Sequence, residues 1–140
     1  MTEEEVLNNK PKTLAQFSDF LSEGKLMCVA CECGTRTFLI APSCQKCGKL
    51  SQDHAKWEEV TNAGTIETYS VVYVGPPVLQ DLVPYCSVLV NYGEFLSIAA
   101  ILNEKIDPMN PPTDLIGKTV KPSFIQRPDE IYILGANFAD

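Results

Sequence analysis

A mainly β protein is predicted by three features of the 140-residue sequence. Five of its six cysteines fall within 20 residues, short β-branched and aromatic runs fill the chain from residue 57 onward, and one short stretch, 13–24, carries helical periodicity. Hydrophobic residues make up 45% of the chain, enough to bury a core.

Residues 1–12 are polar and are expected to fray. Over 13–24, Thr13 is placed to cap a helix, and Gln16 stands three residues on, at capping-box spacing. Leu14, Phe17, Phe20 and Leu21 recur on one face, and Gly24 suits the stop. That face either packs on its own domain or forms a docking surface for a partner or an acyl chain.

Residues 26–50 hold five of the cysteines. Cys44-Gln45-Lys46-Cys47-Gly48 is a C-x-x-C-G knuckle, whose glycine permits a tight turn that brings amides toward the sulfurs. The other half, Cys28-Val29-Ala30-Cys31-Glu32-Cys33-Gly34, offers three thiols for two places. Cys28 with Cys31 gives the usual C-x-x-C, whereas Cys31 with Cys33 gives a shortened C-x-C ending in the same Cys-Gly. Either pair completes four thiolates with Cys44 and Cys47, leaving room for a hairpin, as in a rubredoxin-like zinc ribbon. Four sulfurs close the tetrahedron, so the ion is structural, and zinc is the expected metal with iron its competitor. A segment this short buries too little apolar surface to fold without it. Cys86 sits in a strand pattern and reads as a buried apolar residue; the only histidine, His54, lies in the polar connector 51–56.

From Trp57 the strand signals begin. Thr65–Val74 is followed by the Gly75-Pro76-Pro77 break; 86–92 and 95–102 flank a turn at Gly93-Glu94. The proline-bearing stretch 103–114 reads as a loop, and Gly117–Ile125 and Glu130–Leu134 complete five strands. Five strands in roughly 80 residues suit a closed barrel of the OB type. The expected organisation is therefore an N-terminal helical segment (1–25), a zinc ribbon (26–56) and a C-terminal five-stranded OB-fold (57–140).

Charge narrows the function. The net charge of −7 lies wholly in residues 57–140, where eleven Asp and Glu outnumber four Lys and Arg. Phosphate neutralisation needs the opposite balance, which counts against a nucleic-acid groove. No apolar run is long enough to span a bilayer, and the acidic start lacks a secretory pattern, so a cytoplasmic protein is expected.

The order of motifs resembles the zinc-ribbon/OB-fold proteins that accompany thiolases in archaea and bacteria, a former domain of unknown function. The resemblance runs through Phe17, Phe20-Leu21 and Gly24-Lys25-Leu26, the knuckles with ten residues between Cys33 and Cys44, and Gly64 to Val72. It continues at Pro76-Pro77, Pro84-Tyr85, Gly117, Val120 and Phe124. One departure is a knuckle cysteine displaced from Ala30 to Cys31. With that shift the resemblance implies Cys31, Cys33, Cys44 and Cys47 as zinc ligands.

It further implies a non-catalytic scaffold for acyl-CoA enzymes: a partner of a thiolase, of 3-hydroxy-3-methylglutaryl-CoA synthase, or a bridge between that synthase and acetoacetyl-CoA thiolase in the mevalonate route. A CoA thioester is a further expected contact, with Lys25, Arg36, Lys46 and Lys49 as candidate cations. Leu79, Leu82 and Val83, in a proline-bounded loop, are either partner anchors or caps on the barrel end. The alternative function is single-stranded nucleic-acid binding through Tyr69, Tyr73 and Phe124. An independent enzyme would need a triad, an acid/base pair or an open metal site, and the sequence supplies none of these patterns.

Overall fold

The computed structural model describes residues 12–38, 40–94, 96–107, 109–127 and 131–139. The chain divides into two compact units. One runs to Thr61 and includes Glu94–Leu96; the other comprises Asn62–Gly93 and the chain from Ser97 onward.

In the first unit, α1 spans Leu14–Ser22. Thr13 Oγ1 accepts from the Gln16 amide at 3.2 Å while Gln16 Oε1 accepts from the Thr13 amide at 3.0 Å, a complete capping box. The helix stops as expected. Gly24 takes φ +78°, the Gly24 amide donates to Leu21 and the Lys25 amide to Phe20, so the last carbonyls are satisfied. Leu21 is buried, and Phe20 meets Trp57 edge-to-face with centroids 5.3 Å apart. The helix therefore packs on its own unit, although Leu14 stays 73% exposed.

Three strands form the ribbon's sheet in the order β2-β1-β3: β1 Met27–Cys31, β2 Arg36–Thr37 and β3 Ala55–Glu59. Residues 51–56, expected as a connector, are ordered into α2 (Ser51–His54) and the start of β3. Trp57 lies opposite Val29 in this sheet. The frayed start expected for 1–12 lies outside the described residues except at Lys12, which is buried. Its ammonium donates to the carbonyls of Ser51 and Ala55, at 3.3 and 2.7 Å, at the end of α2.

The second unit is a closed five-stranded barrel. Its strands are β4 Gly64–Val72, β5 Tyr85–Asn91, β6 Ser97–Leu102, β7 Thr119–Arg127 and β8 Ile131–Phe138, in the order β4-β5-β6-β8-β7. All neighbours are antiparallel except β6 and β8, the expected OB-type arrangement. Along β5 burial alternates strictly, with Cys86, Val88 and Val90 inward. Ile66, Ala100, Leu102, Leu115, Val120, Leu134 and Ala136 are also buried in this unit. A bulge between Ile66 and Thr68 shifts the phase of β4, so Ile66, Tyr69 and Val71 all lie opposite the inward residues of β5. The loop expected to carry Leu79, Leu82 and Val83 contains a 3-10 turn, Pro77–Leu82, and those three side chains are half-buried.

Candidate metal centre

Strand alternation decides which cysteines meet. Cys28 and Cys31 are three residues apart on β1 and so point to opposite faces. Cys28 is fully buried and its neighbours include Arg36, while burial pushes its thiol pKa up. Cys31, at the end of β1, opens the first knuckle. The sulfurs of Cys31, Cys33, Cys44 and Cys47 all lie within 4.8 Å of one another. The shortened knuckle is therefore the one that faces Cys44 and Cys47.

Both knuckles use the same local device. The glycine after the second cysteine takes positive φ, +95° at Gly34 and +77° at Gly48. Its amide then donates to the carbonyl of the first cysteine, Gly34 to Cys31 at 2.9 Å and Gly48 to Cys44 at 3.0 Å. The first loop closes across one residue fewer. The second is held further by a Cys44 amide bond to the Lys49 carbonyl at 2.9 Å, and the first by a Cys31 amide bond to Thr35 at 2.8 Å.

The donor set fits a tetrahedral soft cation. With metal–sulfur bonds of about 2.3 Å, a tetrahedron has sulfur–sulfur edges of about 3.8 Å. Cys31 and Cys47 stand 3.5 Å apart, and Cys33 and Cys44 3.7 Å. Hydrogen bonds from the Thr35 hydroxyl and backbone hold Cys33 down to about 6. Amides of Cys47 and Lys46 lower Cys44. The Cys33 amide pulls Cys31 down, but burial and the thiols of Cys47, Cys33 and Cys44 outweigh it and push it up to about 12. Four thiolates at this distance repel one another unless a cation sits among them.

Sequence reasoning missed the frame around the first knuckle. Glu32, between two of the cysteines, meets His54 Nδ1 at 3.1 Å through Oε2, and its amide donates to the His54 carbonyl. Lys49 of the second knuckle reaches the same carboxylate at 3.9 Å. The histidine looked isolated because its partner lies 22 residues away.

The four candidate cations do not converge. Lys25 pairs with Glu23 at 3.9 Å, Arg36 with Glu58 at 3.0 Å and Lys49 with Glu32. Lys46 is exposed on the second knuckle, where its amide points at Cys44 Sγ at 3.4 Å. Arg36 lines a cleft of about 530 Å³ in the first unit, where Glu32, Asp53 and Glu58 face Arg36, His54 and Lys56. Of the aromatics considered for stacking, Tyr69 and Phe124 are half-buried, and Tyr73 is 56% exposed. Among the described residues no helix is long and apolar enough to cross a membrane.

No protein-family model matches the chain. No curated protein matches it either. Among solved structures, it is similar to a chain of the "Ltp2-ChsH2(DUF35) aldolase", with a TM-score of 0.72 and 22% sequence identity over 90% of this chain and 94% of that one. The likeness establishes a shared fold across nearly the whole of both chains.

Proposed function

We propose that this chain is a zinc-stabilised, non-catalytic accessory subunit that docks on an acyl-CoA enzyme of the thiolase type. The observation that carries the reading is the fold likeness, over nine-tenths of the chain, to a chain of the Ltp2-ChsH2(DUF35) aldolase. Four cysteines within one ion's reach support the zinc assignment, with Cys31, Cys33, Cys44 and Cys47 as ligands. A four-thiolate site leaves no position for water, which suits an architectural role. In this reading the ion supplies folding energy to the ribbon, and the chain's own part is to present a surface to its partner.

The finer form of the proposal is a bridge between acetoacetyl-CoA thiolase and 3-hydroxy-3-methylglutaryl-CoA synthase in the cytoplasm. Lys25, Arg36 and Lys49 already have carboxylate partners, and among the described residues only Lys46 of the four forms no ion pair.

Affinity purification of the tagged chain with the thiolase of the same organism tests the docking. Co-purification and co-elution on gel filtration are expected. Separate elution at every salt concentration, together with a shift by a single-stranded oligonucleotide, would replace this reading with nucleic-acid binding. Elemental analysis is expected to give one zinc per chain, and visible absorption from iron would contradict the metal assignment.

A further inference from the structure

The two knuckles are not equally supplied with donors to sulfur. In the second, a residue more of backbone places two amides, of Lys46 and Cys47, on Cys44. In the shortened first knuckle the loop offers Cys31 a single amide, that of Cys33. Thr35, two residues beyond Cys33, adds contacts to the other sulfur of this knuckle. It is buried, at 6% exposure, although it is polar and borders an exposed loop. Its hydroxyl lies 3.2 Å from Cys33 Sγ, its amide also bonds that sulfur, and its carbonyl accepts the Cys31 amide at 2.8 Å. One residue thus grips both cysteines of the short knuckle.

We propose that Thr35 is the positioning residue of the metal centre: once Cys33 is a thiolate, the Thr35 hydroxyl donates to it and, with the Thr35 amide, fixes that sulfur while the Thr35 carbonyl anchors Cys31. The inference rests on the metal reading above. A thiolate that accepts a hydrogen bond carries less charge onto the ion, and its orientation is fixed before the ion arrives. Groups that orient ligands in this way commonly control metal affinity by about 10–100-fold. Threonine suits the place because its hydroxyl can supply the donor at a buried position.

The test uses the full chain freed of metal and titrated with Co²⁺, whose thiolate charge-transfer band reports on sulfur directly, and with Zn²⁺ against a competing chelator. Thr35→Val keeps the shape and removes the donor. It is expected to bind at least tenfold more weakly and to move the charge-transfer band to longer wavelength, since an unbonded thiolate gives up its electron more easily. Thr35→Ser keeps the donor and is expected to restore the band position and most of the affinity, even where the missing methyl lowers the melting temperature. A Val variant with wild-type affinity and band position overturns the proposal. So does a Ser variant indistinguishable from Val, which would assign Thr35 to packing alone. If Thr35→Val does not fold, Thr35→Ala beside Thr35→Ser decides: both lack the methyl, so a band at longer wavelength in Ala and unmoved in Ser supports the hydroxyl, and an Ala band at the wild-type position overturns the proposal. A wild-type chain that takes up neither ion overturns the metal reading itself.

Discussion

At the scale of single residues, the useful contrast is between Cys28 and Cys31. They are the same residue type in the same strand, and a C-x-x-C spacing makes them look like a pair. The pleat separates them: Cys28 is buried beside Arg36, and Cys31 joins the cluster. Cys28→Ser is therefore expected to keep one ion per chain while losing about 1–3 kcal/mol of stability, because a hydroxyl is placed in a packed site. Cys31→Ser is expected to lose the ion. Metal analysis beside thermal melts separates the two. Tyr92 gives a second residue-level expectation. Burial pushes its phenol up to about 12, from the usual 10.0. A folded-state pKa above the unfolded one means the contribution is complete below about pH 10 and is lost as pH rises toward about 12. On the order of 2–3 kcal/mol is at stake. Denaturant melts across that window are expected to show a steeper alkaline loss in wild type than in Tyr92→Phe.

At the scale of elements, helix α1 was legible almost to the residue because its start and stop are local chemistry, a capping box at Thr13 and a left-handed glycine at Gly24. The β-strands were legible as elements and less so in extent. β8 runs on through Gly135, Ala136 and Asn137, poor strand formers, because β7 pairs with it along its whole length. Gly135 fits there since a Cβ would lie 2.6 Å from Ser123 Oγ and 2.7 Å from Ile125 Cδ1. Gly64 is more confined. It stands where β4 closes on β7, opposite Val120, and a Cβ would meet Val90 Cγ1 at 2.5 Å and Tyr92 Cε1 at 2.8 Å. Gly64→Ala is expected to cost about 1–3 kcal/mol by overpacking, read as a melting temperature lower by several degrees with metal content unchanged. The bulge after Ile66 was invisible in sequence, since an extra residue in a strand shows only when the partner strand's register is known.

At the scale of the whole molecule, the two units draw on different sources of stability. The barrel buries Ile66, Val88, Val90, Leu115, Val120 and Leu134, an apolar core that needs no ion. The ribbon's loops carry exposed or half-exposed cysteines and little apolar cover, so the ion is expected to hold them. A strong chelator is therefore expected to release the amides of Cys31, Gly34, Cys44 and Gly48 to hydrogen exchange while those of Val88 and Val90 stay protected. Simultaneous loss of protection in both units would show that the barrel depends on the ion as well. The acidic excess in residues 57–140 belongs to this scale too. It bears on partner choice and leaves the fold untouched.

The order of helix, cysteine ribbon and five-stranded barrel was set by the sequence alone, because capping residues, sulfur spacing and β-branched runs act over a few neighbours. Tertiary structure showed Cys31 rather than Cys28 among the other sulfurs, as the resemblance implied, and placed Thr35 against the Cys33 sulfur and His54 against Glu32. Those choices depend on which face of a strand a side chain leaves from and on what a distant segment brings opposite it, and neither is written in local spacing.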